Sequence, residues 1–342
     1  MQKTIKILIV RQESNMVGDT VCLIPAVKAL KLKFPESYIT MVYGWSHYNV
    51  SYKKIIPELD EVIYYDNSSL KSKIKFFKML RRARYDIGIV PSTIKISSNS
   101  HLINFFSGAK KRAGVRSVDG KTNKLRFLLN IKSDFDWKKQ KTHQMERGLE
   151  VVRQIGCDLS KEEIIKTRFK LSDSALSFAE KYIINQFPDK EKLIIGFHPG
   201  AGQKVNTWHY NNFADLIELI DSKYKPYILI TSGEIDKEIT NHLSDILKEK
   251  KINFTICDKK DEEFVAVLSR ISLYITNNTG VMHLASISGT KVLSFFIPSM
   301  CYQWPPITEG CEYIVSPTDN INDIEVNNVF EKVISMTGGN TR

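Results

Sequence analysis

Four stretches of this sequence place reactive or charged groups where a β-rich run gives way to a helical one. In the first, residues 12–20, Gly18 and Asp19 follow the apolar run at 5–10. A carboxylate in a partly dry cleft can take a proton from an attacking hydroxyl, and strand ends in open α/β sheets face the ligand crevice. Asp is equally a favoured helix N-cap, with Gly18 shaping the turn before it. Pro25, six residues on, would kink a helix begun at Asp19, which argues for a later helix start and a free carboxylate. The second stretch is Gly196-Phe197-His198-Pro199-Gly200-Ala201-Gly202, with Lys204 and Trp208 beyond it. Small residues there let backbone N–H groups approach a phosphate, to which Lys204 adds a point charge. The same residues also describe an ordinary Gly-rich connection turned by Pro199, and they match neither the P-loop nor the dinucleotide fingerprint.

The third stretch runs from Thr276 through Asn277, Asn278, Thr279, Gly280 and His283 to Ala285. A helix opening near Gly280 would aim unpaired N–H groups and its positive dipole end at a diphosphate, with Thr279 and His283 as side-chain donors. The alternative is that Asn278 or Thr279 is only a cap and His283 a satisfied, half-buried histidine. The fourth, residues 70–85, sets Lys71, Lys73, Lys75, Lys78, Arg81, Arg82 and Arg84 around Leu70, Ile74, Phe77 and Leu80. On a helix this is a basic amphipathic surface suited to anionic lipid headgroups, or else solvated charge on a surface helix. Lys110, Lys111, Arg112 and Arg116 extend the basic character of the first half.

The elements that must position these groups follow from hydrophobic periodicity. Short β-rich runs alternate with helical patterns, which predicts a parallel α/β architecture. One series has strands at 5–10, 38–43, 62–65 and 87–90. A second restarts with 193–197, 227–231, 253–257, 273–276 and 292–296. The polar stretch 132–142 and a helix over 143–155 separate them, so domains are predicted at 1–165 and 166–342. The tail helix at 323–336 is expected to pack back on the first domain.

A chain of 342 residues is long enough for about two domains at roughly 150 residues each, and 42% hydrophobic with 25% charged residues excludes a disordered or fibrous class. Forty-nine Lys and Arg against 38 Asp and Glu give +11, which points to an anionic partner. Cys22, Cys157, Cys257, Cys301 and Cys311 are scattered, with no C-x-x-C pair, which argues against zinc and for reduced thiols in a cytosolic protein. The run at 5–10 is too short for a signal h-region, and no run approaches the roughly 20 apolar residues of a membrane span, so membrane contact is expected to be peripheral.

Taken in order, these segments resemble the lipopolysaccharide heptosyltransferases, family nine of the glycosyltransferases, over nearly the whole chain. The resemblance rests on Ile7 to Arg11 with Gly18, Asp19 and Pro25, and on Ala109 to Gly114 with His143, Glu146 and Arg147. It continues in His198 to Ala201 with Trp208 and Phe213, in Gly233-Glu234, and in Thr279-Gly280 with His283 and Ala285. It implies a GT-B fold, two Rossmann-like domains facing each other across a cleft, the first for the acceptor and the second for the nucleotide sugar. It also implies inverting transfer from ADP-heptose to the lipopolysaccharide core, with no metal and no cofactor.

By that resemblance Asp19 is the catalytic base. His198, Gly200, Lys204, Asn278, Thr279, Gly280 and His283 hold the donor, and Glu234 lies by its ribose or adenine. Gly18, Lys71, Lys75, Lys78, Arg81 and Arg82 lie on the acceptor or membrane side. The implied partners are a nucleotide-sugar donor, a lipid-linked oligosaccharide acceptor and the anionic inner face of the inner membrane, and nucleic acid is not among them. Two departures bear on donor identity: Asn278 stands where the family usually has Asp, and Asn206 where it has Lys. Another nucleotide sugar as donor, a noncatalytic nucleotide-sugar-binding protein and a sugar epimerase of the same fold are the competing readings. Nucleic-acid binding is motivated only by the charge balance.

Overall fold

A computed structural model describes residues 4–12, 16–44, 52–66 and 68–338. Of the first candidate stretch, residues 13–15 lie outside the described residues. The chain divides into two compact units, Met1–Ile164 and Ile165–Arg342.

In the first unit the elements are β1 (Lys6–Arg11), α1 (Val17–Val21), α2 (Ile24–Lys33), β2 (Tyr38–Gly44), α3 (Tyr52–Ile55), β3 (Glu61–Tyr65), α4 (Leu70–Ala83), β4 (Ile87–Ile89), α5 (Ser98–Phe106), β5 (Lys111–Val118), β6 (Lys121–Thr122), β7 (Ile131–Phe135), α6 (Trp137–Gln140), α7 (Gln144–Arg153) and α8 (Lys161–Ile165). The sheet order is β3-β2-β1-β4-β5-β6, with β7 paired to β5. All of its pairings are parallel except β5 with β6. In β1 every residue after Lys6 is buried, the pattern of a strand covered on both faces. Its Leu8 and Val10 join Val42, Phe76, Leu80, Val90 and Ile103 in one core.

The second unit runs α9 (Asp173–Gln186), β8 (Ile194–His198), α10 (Tyr210–Tyr224), β9 (Tyr227–Thr231), α11 (Lys237–Glu249), β10 (Thr255–Cys257), α12 (Asp261–Leu268), β11 (Leu273–Asn277), α13 (Gly280–Ser288), β12 (Val292–Phe296), β13 (Cys311–Val315) and α14 (Val326–Thr337). Its six strands, all parallel, take the order β10-β9-β8-β11-β12-β13. Trp208, Phe213 and Phe295 meet edge-on and tilted at 4.7–6.0 Å at the centre of its core. Aromatic pairs of this geometry add about 0.5–1.5 kcal/mol beyond the area they bury.

Each sheet therefore winds outward in both directions from a central pair, β1 with β4 and β8 with β11. At such a pair the chain reverses its direction of travel across the sheet, and the loops leaving the two strands diverge and open a crevice.

Two sequence expectations are corrected. The polar stretch 132–142 is not a connection: it contains most of β7 and α6. Ile131 to Phe135 alternates half-buried and exposed residues, so the strand's solvated face carries Lys132 and Asp134 and reads as linker. Strand β5 is missed because its exposed positions are the charged Lys111 and Arg116, and edge strand β13 because it has no fully buried residue and breaks alternation with Glu312. The tail helix α14 places Val329, Val333 and Met336 in the second unit's own core, beside α10. Among the described residues no helix is long and apolar enough to cross a membrane.

Candidate active site

In the first unit, β1 ends in Arg11, an arginine with no exposed surface. Its Nη1 donates to Thr20 Oγ1 at 2.8 Å, and its Nη2 lies 3.8 Å from Asp19 Oδ2. Asp19 is the third residue of α1, whose N-cap is Met16, so it is neither an N-cap nor freed by a late helix start. The helix begins earlier and breaks at Cys22 and Leu23. Pro25 falls in the first turn of α2, where its missing N–H has no intrahelical acceptor to lose.

The Asp19 side chain keeps 12% of its surface. That leaves a narrow approach to a carboxylate held by a buried guanidinium. Beside it, burial pushes the Cys22 thiol well above its usual range. The Asp19 charge adds to that shift and Arg11 opposes it. Gly18 is buried in the same turn, its carbonyl accepting from the Cys22 N–H.

After β4, Ser92 holds a left-handed backbone, φ 51°. Arg147 on α7 reaches this loop, with Nη1 donating to the Thr93 carbonyl at 3.4 Å, Nε donating to the Thr142 carbonyl and its guanidinium over the Trp137 ring. His143 caps α7, its Nδ1 accepting from the Met145 N–H. Of the middle landmarks, Arg147 thus supports the loop that leaves β4, and His143 holds the start of its helix.

In the second unit the turns after β8, β9 and β11 lie side by side at one sheet edge, because these strands are adjacent and parallel. A buried polar chain ties them together. His198 Nδ1 lies 3.1 Å from both the carbonyl and the Oγ1 of Thr231, and its Nε2 lies 3.6 Å from Asp236 Oδ2. Thr231 Oγ1 is in turn 2.5 Å from the Tyr274 hydroxyl. Tyr274 belongs to β11 and reaches β9 by crossing over β8 at Gly196, where a Cβ would lie 2.6 Å from its ring. Gly200 is needed for a similar reason, since a Cβ there would overlap the Asp236 carboxylate, which also accepts from the Gly233 N–H at 3.2 Å. Burial pushes the His198 imidazole below its usual range, and Asp236 and the Thr231 carbonyl oppose that shift. The sequence reading placed His198 on the donor. Its ring is 3% exposed and serves as a cross-link between turns.

Asn277, at the end of β11, is the second tie. Its Nδ2 donates to the Pro199 carbonyl at 2.8 Å and the Gly200 carbonyl at 3.3 Å, while its Oδ1 accepts from the Trp208 N–H at 3.0 Å. One fully buried amide thus holds both ends of the Gly-rich loop against the turn that opens α13. Trp208 locks the far end, donating from Nε1 to the Ile324 carbonyl. Thr279 caps α13 through Oγ1, which accepts from the Met282 N–H. The N–H groups of Gly280 and Val281, which precede it in the first turn, have no intrahelical acceptor. His283 is buried, its ring 6.2 Å from that of Trp304. Asn278 is half-buried, its amide 3.6 Å from Met300 Sδ.

Lys204 is exposed at the head of the turn Lys204–Asn206. The nearby Asn206 is buried, and its Oδ1 has no hydrogen-bond partner among the described residues. Glu234 is exposed after β9, with its Oε1 3.6 Å from Lys260 Nζ. Lys71, Lys75, Lys78, Arg81 and Arg82 all stand exposed on α4. Among the described residues no three His, Cys, Asp or Glu side chains gather as a metal site would require.

Arg11, Asp236 and Asn277 were assigned no role from sequence. A charge closing an apolar strand, an Asp three residues after a turn glycine, and paired Asn residues at a strand end were the available signals.

The family model for glycosyltransferase family 9 (heptosyltransferase) matches residues 73–334. The chain belongs to this family, and it is a glycosyltransferase. The lipooligosaccharide heptosyltransferase 2 of Campylobacter jejuni is 25% identical over 293 residues, 85% of this chain and 81% of that one. The lipopolysaccharide heptosyltransferase 2 of Escherichia coli K12 is 23% identical over 313 residues, 88% and 85% of the two chains. Among solved structures, E. coli ADP-heptose lipopolysaccharide heptosyltransferase II superposes with a TM-score of 0.74 at 20% identity, covering 97% of this chain and 98% of that one. The fold is accordingly GT-B, built of two Rossmann-like units.

Proposed function

We propose that this glycosyltransferase moves a heptose from ADP-heptose to the core oligosaccharide of lipopolysaccharide by an inverting, metal-independent displacement. It works peripherally at the cytoplasmic face of the inner membrane. The observation that carries the reading is the second unit's switch-point edge, where Thr279-Gly280 opens α13 beside a Gly-rich loop held by Asn277 and Asp236. An inverting transfer needs one base on the nucleophile and positive charge or dipoles on the departing diphosphate.

Asp19 is assigned the base. It takes the proton of the acceptor hydroxyl as the oxygen forms its bond to the sugar's anomeric carbon and the bond to the nucleoside diphosphate breaks. The buried Arg11 guanidinium, 3.8 Å away, orients that carboxylate. The free N–H groups of the first turn of α13 and the Lys204 ammonium receive the diphosphate, Asn278 and His283 line the sugar or diphosphate, and Glu234 lies by the ribose or adenine. Gly200 keeps the loop close, and His198 holds the turns in place rather than touching donor. A second reading, a different nucleotide sugar as donor, is favoured by Asn278 and Asn206, which remove one negative and one positive charge from the donor residues usual in the family.

A panel of ADP-, UDP- and GDP-sugars tests both, because a ligand at 100 times its Kd stabilises the native state by about 2.7 kcal/mol. ADP-heptose is expected to raise Tm most and to yield a heptosylated core acceptor, with or without EDTA. Protection by a UDP- or GDP-sugar alone moves the assignment to the second reading. No protection and no product would leave a noncatalytic relative.

A further inference from the structure

Helix α4 has three faces. Phe76, Leu80 and Ala83 pack inward, against Tyr65 and the first unit's core. Leu70, Ile74, Phe77 and Arg81 fall within about 60° of one another around the helix axis, and on this face Phe77 is half-buried against the core edge while Leu70, Ile74 and Arg81 are exposed. Leu70 is 73% and Ile74 48% exposed. About 100° further round, on the side away from the core, stand Lys71, Lys75, Lys78 and Arg82, all exposed.

The exposed apolar face does not end with α4. Phe77 meets Phe106 of α5 edge-on at 5.6 Å, Phe106 meets Phe105 at 5.4 Å, and Arg112 lies over the Phe105 ring at 5.5 Å. Phe105 and Phe106 are themselves 39% and 46% exposed. A Cβ at Gly108, just after α5, would lie 3.8 Å from Arg81 Cγ, so the Arg81 stem borders the patch at that end. Neither α4 nor α5 contains an acidic residue, in a chain that has 38.

We propose that this α4–α5 face docks on an anionic lipid bilayer, with Leu70, Ile74, Phe105 and Phe106 entering the headgroup–acyl boundary and the Lys71, Lys75, Lys78 and Arg82 flank resting on the headgroup charge. The inference rests on the reading of a lipid-linked acceptor and deepens it, by naming the face that brings the first unit to its substrate. Charge complementarity commits the face to lipid. A second copy of the same chain would bring the same cationic flank against itself, and like charges across a contact oppose association. Apolar insertion also separates this mode from simple electrostatic adsorption. Screening removes the attraction between exposed charges beyond about 3 Å at 1 M salt, whereas buried apolar area is untouched by it.

The test is co-sedimentation of the full chain with vesicles of phosphatidylethanolamine and phosphatidylglycerol, against vesicles of phosphatidylcholine alone. Binding to the anionic vesicles is expected to be more than tenfold tighter, with a measurable remainder in 1 M salt. The double variant Ile74→Glu/Phe106→Glu should lose more than tenfold in anionic-vesicle binding. Its thermal protection by donor and its transfer to a delipidated core saccharide should stay within twofold of wild type. Leu70→Glu, at the most exposed position of the stripe, serves as a second variant and should weaken vesicle binding severalfold.

Equal binding to both vesicle types, or variants that bind like wild type, would overturn the proposal. So would a wild-type dimer that the double variant dissolves with no change in vesicle binding, since the face would then be a self-interface. Vesicle binding that persists when wild type neither binds donor nor makes product would sink the transferase assignment and leave this one standing.

Discussion

In the first unit the switch-point edge is held by charge, and in the second by amides, glycines and a histidine kept neutral. The sheet order around the two switch points is the same, and in both a loop leaves the first central strand toward a short or medium helix. After β1 the chain places a wholly buried guanidinium against a carboxylate that is itself nearly buried, in a helix of five residues. After β8 and β11 it places close backbone approaches, a capped nine-residue helix and one asparagine holding two loop carbonyls and a backbone N–H. On the proposed function, the difference is in what each edge is prepared for. A base must be ionised before substrate arrives, so its counter-charge is built in. A diphosphate brings its own charge, so its cradle is left with free N–H groups and no resident anion in the first turn of α13.

If that division is right, changes at the two edges should separate cleanly. The largest effect is expected from Asp19→Asn, which keeps the shape but removes the proton acceptor. General-base contributions run to about 10²–10⁴-fold, and turnover should fall by that range or more while donor affinity stays within twofold. Initial rates at saturating donor, paired with donor titration by calorimetry, read both halves. Turnover near wild type would remove Asp19 from the chemistry, and a loss of donor affinity equal to the loss in rate would mean the edges are not independent. Removing the Asp19 charge beside the buried Arg11 guanidinium should also lower the stability of the first unit, read as a lower Tm.

Asn277→Ala is expected to act in the opposite sense. It strands the Pro199 carbonyl and the Trp208 N–H, both inside the second unit, and buried groups left unpaired cost about 1–3 kcal/mol each. Donor affinity should drop roughly tenfold, the equivalent of about 1.4 kcal/mol, as the Gly-rich loop loosens, while the rate at saturating donor changes little. Denaturant unfolding and the same donor titration check it. A variant with normal donor affinity and depressed turnover would assign Asn277 to chemistry and erase the contrast between the edges.

Most of this architecture was legible in the sequence because central parallel strands bury both faces. Runs such as Ile7 to Val10, Ile228 to Thr231 and Leu293 to Phe296 read as strand, and the strand series restarts at β8. Edge strands were not legible, since β7 spends its exposed positions on Lys132 and Asp134 and β13 has no fully buried residue to mark a core-facing side. At the candidate site the turn positions were readable from Gly18, Gly200 and Gly280, but the ties between turns were not. Asp236 packs against Gly200 across 36 positions, and Asn277 reaches Pro199 across 78. Periodicity carries no information about pairs so far apart. His198 shows the converse: a histidine beside a Pro-Gly turn invites a ligand role, and only the Thr231 and Asp236 contacts disclose a cross-link.

The smallest effect compares two buried histidines, one from each unit. His101 in α5 is held neutral by burial, its Nδ1–H donating to the Ser97 carbonyl and its Nε2 accepting from the Asn123 amide at 2.8 Å. His198 is lowered by the same cause, but Asp236 stands beside it and partly offsets the shift. In both cases the native imidazole titrates below the unfolded one. Neither contributes a pH dependence above about 6.5, the unfolded value. As pH falls below that, the unfolded chain takes up protons the native state refuses, and stability declines until the native pKa is reached. Burial therefore predicts a decline below about 6.5 in both units, opposed in the second by Asp236 and in the first by the Ser97 carbonyl. Hydrogen exchange followed unit by unit between pH 7.5 and 5 should show this. His101→Gln should flatten the first unit's decline by an amount worth about 2–4 °C in Tm per kcal/mol recovered. A first-unit decline that survives His101→Gln unchanged would mean that the buried imidazole is not its source.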